Sequence, residues 1–207
     1  MPRAVKTLLL FIFLSLQSFA AGAAEKSILV LGDSLSSAYG MARERGWVAL
    51  LEQRLKRERL DYSVVNASIS GDTSGGARAR FKPLLDKHRP AIVVLELGGN
   101  DGLRGLPVTQ MRTNLSAMIK ESQTAGARVL LVGVKLPPNY GEVYTSAFEA
   151  AYRELTKTHR VPLVPFILED FAGNPEFFQP DRLHPNEAAQ PMMLERVWAG
   201  LKPLLNR

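Results

Sequence analysis

The chain has 207 residues, which is enough for one domain with a substantial hydrophobic core and short for two. It contains no cysteine, which excludes a disulfide-stabilised scaffold and a lipoprotein anchored through a lipidated cysteine. The formal net charge of +6 is mild, and the basic residues of segment 52–59 are interleaved with Glu52 and Glu58. We therefore expect no binding to nucleic acid.

The first 24 residues carry the pattern of a secretory signal peptide. Arg3 and Lys6 precede the apolar residues 8–16, and the small residues 20–24 provide a cleavage site. Cleavage after Ala24 would leave a mature chain that begins with residue 25. The apolar segment is short for a transmembrane helix, so we predict export to the periplasm without a stable membrane span. An uncleaved membrane anchor is the alternative.

Residues 25–207 alternate between strand and helix patterns. The apolar residues 28–31 predict a buried strand, and apolar residues recur at helical spacing from 47 to 55. Further strands are predicted at 62–66, 91–97, 128–134 and 161–166. Helices are predicted around 81–85, at 108–125 and at 143–159. This alternation predicts a single α/β domain: a three-layer sandwich with helices on both faces of a five-stranded, mostly parallel sheet.

Four polar segments follow the predicted strands, at the sheet edge where open α/β proteins bind their ligands. They are residues 32–35, 67–73, 98–101 and 181–185. Each segment alone is ordinary turn or helix-cap material, because Gly, Asp, Asn and Ser are common in such positions. Together they contain every group that an acyl-transfer site requires.

Three of these residues predict a catalytic triad. Ser34 follows the first strand directly, and its hydroxyl is too weakly acidic to react without a base. His184 is the candidate base, since one ring nitrogen can accept a proton while the other is held by a hydrogen bond. Asp181 precedes His184 by three residues, so we expect one helical turn to bring its carboxylate beside the ring.

The negative oxygen of a tetrahedral intermediate also requires hydrogen-bond donors. Asn100 offers a side-chain amide, Gly71 allows a close approach of its backbone N–H, and the N–H of Ser34 completes the predicted oxyanion hole. The other histidines, His88 and His159, are expected to be structural or exposed to solvent. Because the histidines lack the spacing of metal ligands, we expect no metal and no cofactor.

These motifs resemble the SGNH superfamily of GDSL hydrolases, which is named for the Ser, Gly, Asn and His of four ordered sequence blocks. Ser34, Gly71 and Asn100 match the first three blocks, and Asp181 with His184 matches the final Asp-x-x-His. The resemblance extends from residue 28 to about residue 205. It implies a flavodoxin-like fold and a metal-free serine hydrolase that forms and hydrolyses an acyl-enzyme.

A narrower resemblance, carried by residues 66–74, 96–105 and 136–141, is to the exported bacterial branch of multifunctional thioesterases, proteases and lysophospholipases, the TesA-type esterases. It implies fatty-acyl esters, thioesters, lysophospholipids and aryl esters as substrates. That branch usually has glycine where Arg182 stands, which alters the shape and charge of the pocket rim and leaves the triad intact. We expect a monomer.

An acyl chain requires an apolar groove beside the nucleophile. The predicted walls are apolar residues of the loops that follow the strands: Ile69, Leu103, Leu106, Pro107 and Tyr140. These residues could equally pack the loops against one another. The small residues 74–77 predict either a mobile lid over the acyl group or the plain start of a helix.

Two other functions are open at this stage. A carbohydrate acetylesterase of the cell envelope would share the fold and the triad, and it would need a short, polar acyl site. An envelope binding protein would keep the fold without turnover, and its Ser34 would resist a fluorophosphonate probe. The complete set of four sequence blocks favours an active esterase. Ester or lysophospholipid hydrolysis is favoured over thioester hydrolysis, because acyl-CoA is scarce outside the cytoplasm.

Overall fold

A five-stranded parallel sheet forms the centre of the structure, a computed structural model that describes residues 26–205. The predicted signal peptide, residues 1–24, lies outside the described residues. The strands are β1 (Lys26–Gly32), β2 (Tyr62–Asn66), β3 (Ile92–Glu96), β4 (Arg128–Val132) and β5 (Leu163–Val164). They lie in the order β2-β1-β3-β4-β5, and every neighbouring pair is parallel. This is the flavodoxin-like order, and the predicted sheet is confirmed.

Helices cover both faces of the sheet, which confirms the three-layer sandwich. They are α1 (Trp47–Arg57), α2 (Ser74–His88), α3 (Gly99–Leu103), α4 (Val108–Thr124), α5 (Glu142–His159) and α6 (Gln190–Leu205). Helices α1 and α6 pack together on one face, and α4 packs between α2 and α5 on the other. None of the helices within residues 26–205 is both long and apolar enough to cross a membrane.

The core is built on strands that are apolar on both faces. Residues 28–31 of β1 and 92–95 of β3 are fully buried. A central strand of a parallel sheet is covered by helices on both sides, so both of its alternating sets of side chains must be apolar. The edge strand β2 is only partly buried, which agrees with its more polar sequence.

Strand β5 and helix α6 differ from the sequence-based expectation. Strand β5 has two residues instead of the predicted 161–166, because Pro162 and Pro165 flank it and a proline has no N–H to donate to a neighbouring strand. Strands β3 and β4 also end before residues 97 and 134. Helix α6 has no counterpart among the predicted helices, although its buried residues recur at helical spacing.

The sheet has a crevice between β1 and β3. These strands pair in register, with Gly32 opposite Glu96 at their carboxyl ends. The chain leaves β1 toward β2 on one side and leaves β3 toward β4 on the other, so the two following loops diverge. Ser34 follows β1 and Asn100 follows β3, and both residues therefore stand at this crevice.

Candidate active site

A tight turn after β1 presents Ser34. The backbone carbonyl of Asp33 accepts a hydrogen bond from the N–H of Ser37 at 3.0 Å, and Asp33 Oδ1 accepts one from the N–H of Leu35 at 3.1 Å. Both bonds fold the chain back within one turn. Ser34 is partly exposed at the crevice, whereas the Asp33 side chain points into the protein and is buried.

The imidazole of His184 lies beside Ser34. Its Nε2 is 3.0 Å from Ser34 Oγ, and its Nδ1 is 2.7 Å from Asp181 Oδ2. Both are hydrogen-bond distances, so three side chains from distant parts of the sequence form one connected chain. Tyr39 packs on the imidazole with the ring centroids 4.4 Å apart. The His184 ring is therefore held at its edge and on its face.

Asp181 and His184 meet in an Asx turn. Asp181 Oδ1 accepts hydrogen bonds from the N–H groups of Leu183 and His184, both at 3.0 Å, and Arg182 adopts a left-handed φ of 56°. The expectation of a helical turn at this point is wrong, although the expected contact is present. A spacing of three residues permits both geometries, because aspartate readily accepts from backbone N–H groups that follow it.

Asp181 stays ionised at physiological pH. The hydrogen bond from the His184 backbone N–H lowers the pKa of its carboxyl most, and the bonds from the His184 ring and the Leu183 N–H bring that pKa to about 2. A carboxylate can only accept hydrogen bonds, so the proton of this pair lies on Nδ1 of His184. Nε2 is then left to accept a proton from Ser34, which is the tautomer that a general base requires.

Gly71 and Asn100 line the same cleft as Ser34 and His184. Gly71 has a φ of 79°, a left-handed conformation that strains any residue with a side chain. Asn100 donates a hydrogen bond from Nδ2 to Asp33 Oδ2 at 3.0 Å, which fixes the orientation of its amide. The structure thus brings the predicted oxyanion-hole residues and the predicted triad to one place.

Several polar contacts hold the loop that carries Gly71. Its carbonyl accepts a hydrogen bond from Arg104 Nη2 at 2.8 Å. Arg80 donates two hydrogen bonds to Asp72 Oδ2, at 2.7 and 3.0 Å, and a third to the carbonyl of Ala67 at 2.6 Å. These contacts give a loop without regular secondary structure a defined backbone path beside Ser34.

The segment 74–77 forms the first turn of α2. Ser74 donates from its backbone N–H and its hydroxyl to the buried carboxylate of Asp101, at 2.7 and 2.5 Å. Of the two interpretations of this segment, a mobile lid and the plain start of a helix, these hydrogen bonds favour the start of a helix. Asp101 directly follows Asn100, so the same hydrogen bonds connect the loop after β2 to helix α3.

Two carboxyl groups next to the turn that presents Ser34, those of Asp33 and Glu96, are buried. Burial raises the pKa of Asp33 to about 6, against the opposing hydrogen bonds from Leu35 N–H and the Asn100 amide. Burial, and then the charge of Asp33, raise the pKa of Glu96 well above its usual range, against the Ser36 hydroxyl that donates to Oε2 at 2.7 Å. Of the two carboxyl groups, Glu96 therefore holds a proton more tightly, and Asp33 is the one that accepts the hydrogen bond from Asn100.

The raised pKa of Asp33 predicts a pH-dependent loss of stability that Asp33→Asn removes. The pKa is 3.8 in the unfolded chain and about 6 in the folded protein. As the pH rises from about 4 to about 6, the unfolded state ionises first, so the Asp33 carboxyl alone lowers the unfolding free energy of the wild type by about 2 kcal/mol. We expect urea denaturation to show the variant gaining about this much on the wild type between those two pH values.

The exposed Asp61 supplies the control for this comparison. Asp61→Asn makes the same exchange of carboxyl for amide at the surface, and the gain of Asp33→Asn is measured against it. If the unfolding free energies of Asp33→Asn and the wild type differ by a constant amount from pH about 4 to about 7, burial does not raise the pKa of Asp33.

The cleft beside Ser34 has a volume of about 690 Å³ and mostly apolar walls. Leu103 is the predicted pocket residue that lines it. The other predicted residues lie elsewhere: Ile69 and Leu106 are 52% and 37% exposed, Pro107 precedes α4, and the Tyr140 hydroxyl donates to the Leu103 carbonyl at 2.9 Å. Loops after β4 and β5 supply the apolar wall instead, through Val134, Leu136, Pro137, Pro138, Phe166, Leu168 and Ala172.

The other two histidines lie outside the cleft, as expected. His159 ends α5, and its Nε2 is 2.7 Å from Ser116 Oγ on α4. His88 ends α2. Among residues 26–205, no group of three or more His, Cys, Asp or Glu side chains is placed to hold a metal ion.

The fold and the geometry of Ser34, His184 and Asp181 are those of a serine hydrolase. The chain belongs to the GDSL-like lipase/acylhydrolase family, which matches residues 30–190. This finding confirms the resemblance that the four sequence blocks indicate.

Individual relatives agree with the family. The chain is 50% identical over 201 residues to the esterase TesA of Pseudomonas aeruginosa, covering 97% of this chain and 100% of that protein. It is 44% identical over 196 residues to the thioesterase 1/protease 1/lysophospholipase L1 of Escherichia coli strain K12, covering 95% and 92%. The crystal structure of the psychrotrophic esterase EstA from Pseudoalteromonas sp., inhibited by monoethylphosphonate, matches with a TM-score of 0.84 at 44% identity, covering 88% and 100%. The chain is therefore an enzyme that hydrolyses ester bonds.

Proposed function

We propose that Ser34 attacks the acyl carbon of the substrate. The observation that carries this proposal is the series of hydrogen-bond distances from Ser34 Oγ through His184 to Asp181. His184 Nε2 takes the hydroxyl proton as Oγ bonds to the carbonyl carbon, and the Asp181 carboxylate stabilises the imidazolium through Nδ1. His184 then gives that proton to the leaving oxygen or sulfur as the bond between that atom and the acyl carbon breaks, and the acyl group stays on Ser34.

Water completes the reaction by the same route in reverse. His184 Nε2 takes a proton from the water as its oxygen bonds to the acyl carbon. The bond to Ser34 Oγ then breaks, and Oγ recovers the proton from His184. The products are the free acid and the original enzyme, so the cycle consumes only substrate and water.

The oxyanion of each intermediate is stabilised by the N–H groups of Ser34 and Gly71 and by the Asn100 amide. An amide nitrogen carries two hydrogens, and one of those on Asn100 points at Asp33 Oδ2. The other is free for the oxyanion. Because Asp33 fixes the amide before substrate arrives, the donor needs no reorganisation during the reaction, which is the condition under which such donors are most effective.

The cleft favours substrates with a fatty-acyl chain or an aryl group. Its walls are aliphatic and aromatic, so a long acyl chain can leave water along the loops after β4 and β5. An acetyl group would leave most of this surface uncovered, which argues against the carbohydrate acetylesterase. Thioesters and lysophospholipids fit the same chemistry, and the names of the relatives support that range.

The predicted signal peptide of residues 1–24 supports a periplasmic location. The mature chain then acts as a monomeric single domain, residues 25–207, on small-molecule acyl esters. The reaction requires no metal or other cofactor, since serine, histidine and water carry every proton and bond. Neither a nucleic-acid partner nor a membrane span is part of the proposal.

The proposal is tested with protein purified from residue 25 onward. We expect the wild type to turn over aryl esters, short- and long-chain acyl esters, acyl-CoA and lysophospholipid, and Ser34→Ala to lose nearly all of this activity. Equal rates for wild type and Ser34→Ala would overturn the mechanism.

The apolar wall makes a separate prediction about acyl-chain length. Ala172 lies on that wall and is exposed, so a tryptophan there can narrow the cleft without disturbing the core. Displacing two methylenes of a bound chain costs about 1.6 kcal/mol. We therefore expect Ala172→Trp to lower kcat/KM for a dodecanoyl aryl ester about 10-fold relative to the butanoyl ester. Ala172→Ser is the matched control, and an unchanged ratio in Ala172→Trp would remove this wall from the acyl site.

A further inference from the structure

Arg182 is a cation at the cleft that the proposed mechanism does not use. It stands in the Asx turn between Asp181 and Leu183, and its exposed side chain lines the cleft together with His184. Across the part of the chain that the structure describes, the Arg182 guanidinium forms no ion pair with a carboxylate. Its charge is therefore available to a ligand.

The backbone of Arg182 has no structural reason to carry an arginine. Its φ of 56° lies in the left-handed region, which glycine adopts without strain. Arg59, Arg89 and Arg160 are also left-handed, but each follows the C-terminal end of a helix, where a positive charge is favourable. Arg182 ends no helix. A strained residue at an active site is a reason to look for a function.

The other charges near Arg182 are engaged. Lys135 also lines the cleft, but its Nζ is 3.3 Å from Glu169 Oε2 and 5.2 Å from the centroid of the Phe166 ring. The Asp181 carboxylate accepts hydrogen bonds from His184 and from the backbone of the turn. Arg182 is thus the cleft-lining cation best placed to attract an anion.

The position of Arg182 indicates which part of a substrate it meets. His184 must reach the leaving atom to protonate it, so the leaving group extends from Ser34 toward the turn that carries His184. Arg182 lies two residues before His184 in that turn. The apolar wall, which belongs to other loops, is left for the acyl chain.

We propose that Arg182 binds a phosphate group in the leaving portion of the acyl substrate. A guanidinium matches phosphate through two parallel hydrogen bonds and keeps its charge at every physiological pH. Lysophospholipids and acyl-CoA both carry a phosphate on the leaving side of the scissile bond. The inference rests on the proposed function, because it requires acyl transfer to Ser34.

The test compares substrates that share a decanoyl chain: decanoyl lysophosphatidic acid, decanoyl-CoA and the neutral monodecanoylglycerol. The readout is the ratio of kcat/KM for a phosphate substrate to that for the neutral one, at low ionic strength. We expect Arg182→Asn to lower this ratio about 3- to 5-fold, which is the upper range for an ion pair on a solvent-exposed side chain. Salt should lower the wild-type ratio toward that of the variant.

Three further variants separate the effect of the Arg182 charge from that of its backbone conformation and its location. Arg182→Lys keeps the charge and should keep most of the ratio. Arg182→Gly relieves the backbone strain and should lower the ratio as Arg182→Asn does, which separates charge from loop distortion. Arg160→Asn is the matched control, because it removes a left-handed arginine that does not line the cleft and should leave the ratio unchanged.

Each outcome decides the proposal. If Arg182→Asn lowers the kcat/KM ratio for both decanoyl lysophosphatidic acid and decanoyl-CoA, the proposal is supported in its general form. If the ratio falls for only one of these substrates, the proposal is supported and that substrate is the source of the phosphate. The proposal is overturned by an unchanged ratio in Arg182→Asn, by an equal fall in Arg160→Asn, or by a wild type that hydrolyses neither phosphate substrate. Failure of the serine mechanism is a separate result, seen as turnover of monodecanoylglycerol that survives Ser34→Ala.

Discussion

Replacement of Ser34 by alanine is expected to lower kcat for ester substrates about 10⁴- to 10⁶-fold. Without Oγ no acyl-enzyme can form, and the donors of the oxyanion hole can assist only a direct attack by water. Ser34 is partly exposed, so the unfolding free energy should change by less than about 0.5 kcal/mol. Initial rates on an aryl ester measure the loss, and mass spectrometry of a fluorophosphonate adduct identifies the reacting residue.

Ser37 provides a matched control in the same turn. It lies three residues after Ser34, and its Oγ is 2.7 Å from Ser70 Oγ, whereas the His184 ring is hydrogen-bonded to Ser34. Ser37→Ala should keep turnover and labelling close to those of the wild type. If Ser34→Ala still took up the fluorophosphonate, another nucleophile would have to carry the reaction.

The sequence predicts the sheet well because a buried parallel strand needs apolar side chains on both faces. Residues 28–31 and 92–95 meet that requirement, and the helices between the strands show their own periodicity. Once the strands are parallel, the segments that follow them must lie at one edge. That geometric rule is sufficient to bring Ser34, Gly71 and Asn100 together.

The sequence predicts less where backbone conformation or loop packing decides the outcome. Asp181 and His184 are compatible with a helical turn and with an Asx turn, and the left-handed Arg182 selects the second. Strand β5 is shortened by its flanking prolines. The apolar wall depends on how the loops after β4 and β5 pack. Leu136 lines the cleft whereas Ile69 and Leu106 do not, and residue type alone does not predict this difference.

The sequence gives even less indication that Asp33 and Glu96 form a buried pair. Asp33 has the character of a turn residue, and Glu96 has that of the polar end of an apolar strand. Their proximity follows from the pairing of β1 with β3, which places Glu96 opposite Gly32. A carboxyl group at the end of a central strand, beside a polar turn on the neighbouring strand, is the signal that could have revealed it.

Asn100→Ala is expected to lower kcat about 10²- to 10³-fold and to change KM only a few-fold. In the proposed mechanism the Asn100 amide meets an oxygen that becomes negative only in the tetrahedral intermediate, so its loss should raise the barrier without weakening ground-state binding. Steady-state kinetics on an aryl ester give both constants. Asn139→Ala is the control, because Asn139 follows the cleft-lining Pro138 but does not itself line the cleft. A fall confined to KM would show that Asn100 binds substrate and does not stabilise the oxyanion.

Asp33 makes this test more specific, because its carboxylate accepts a hydrogen bond from the proposed oxyanion donor, Asn100. If the hydrogen bond from Asn100 Nδ2 to Asp33 Oδ2 orients the amide, Asp33→Asn should lower kcat in the wild type and have little further effect in Asn100→Ala. If the two residues acted independently, the fold-changes in kcat of the single variants would instead multiply in the double variant. A double-mutant cycle on kcat separates these results, and multiplicative effects would mean that Asp33 supports the nucleophile turn and not the oxyanion donor.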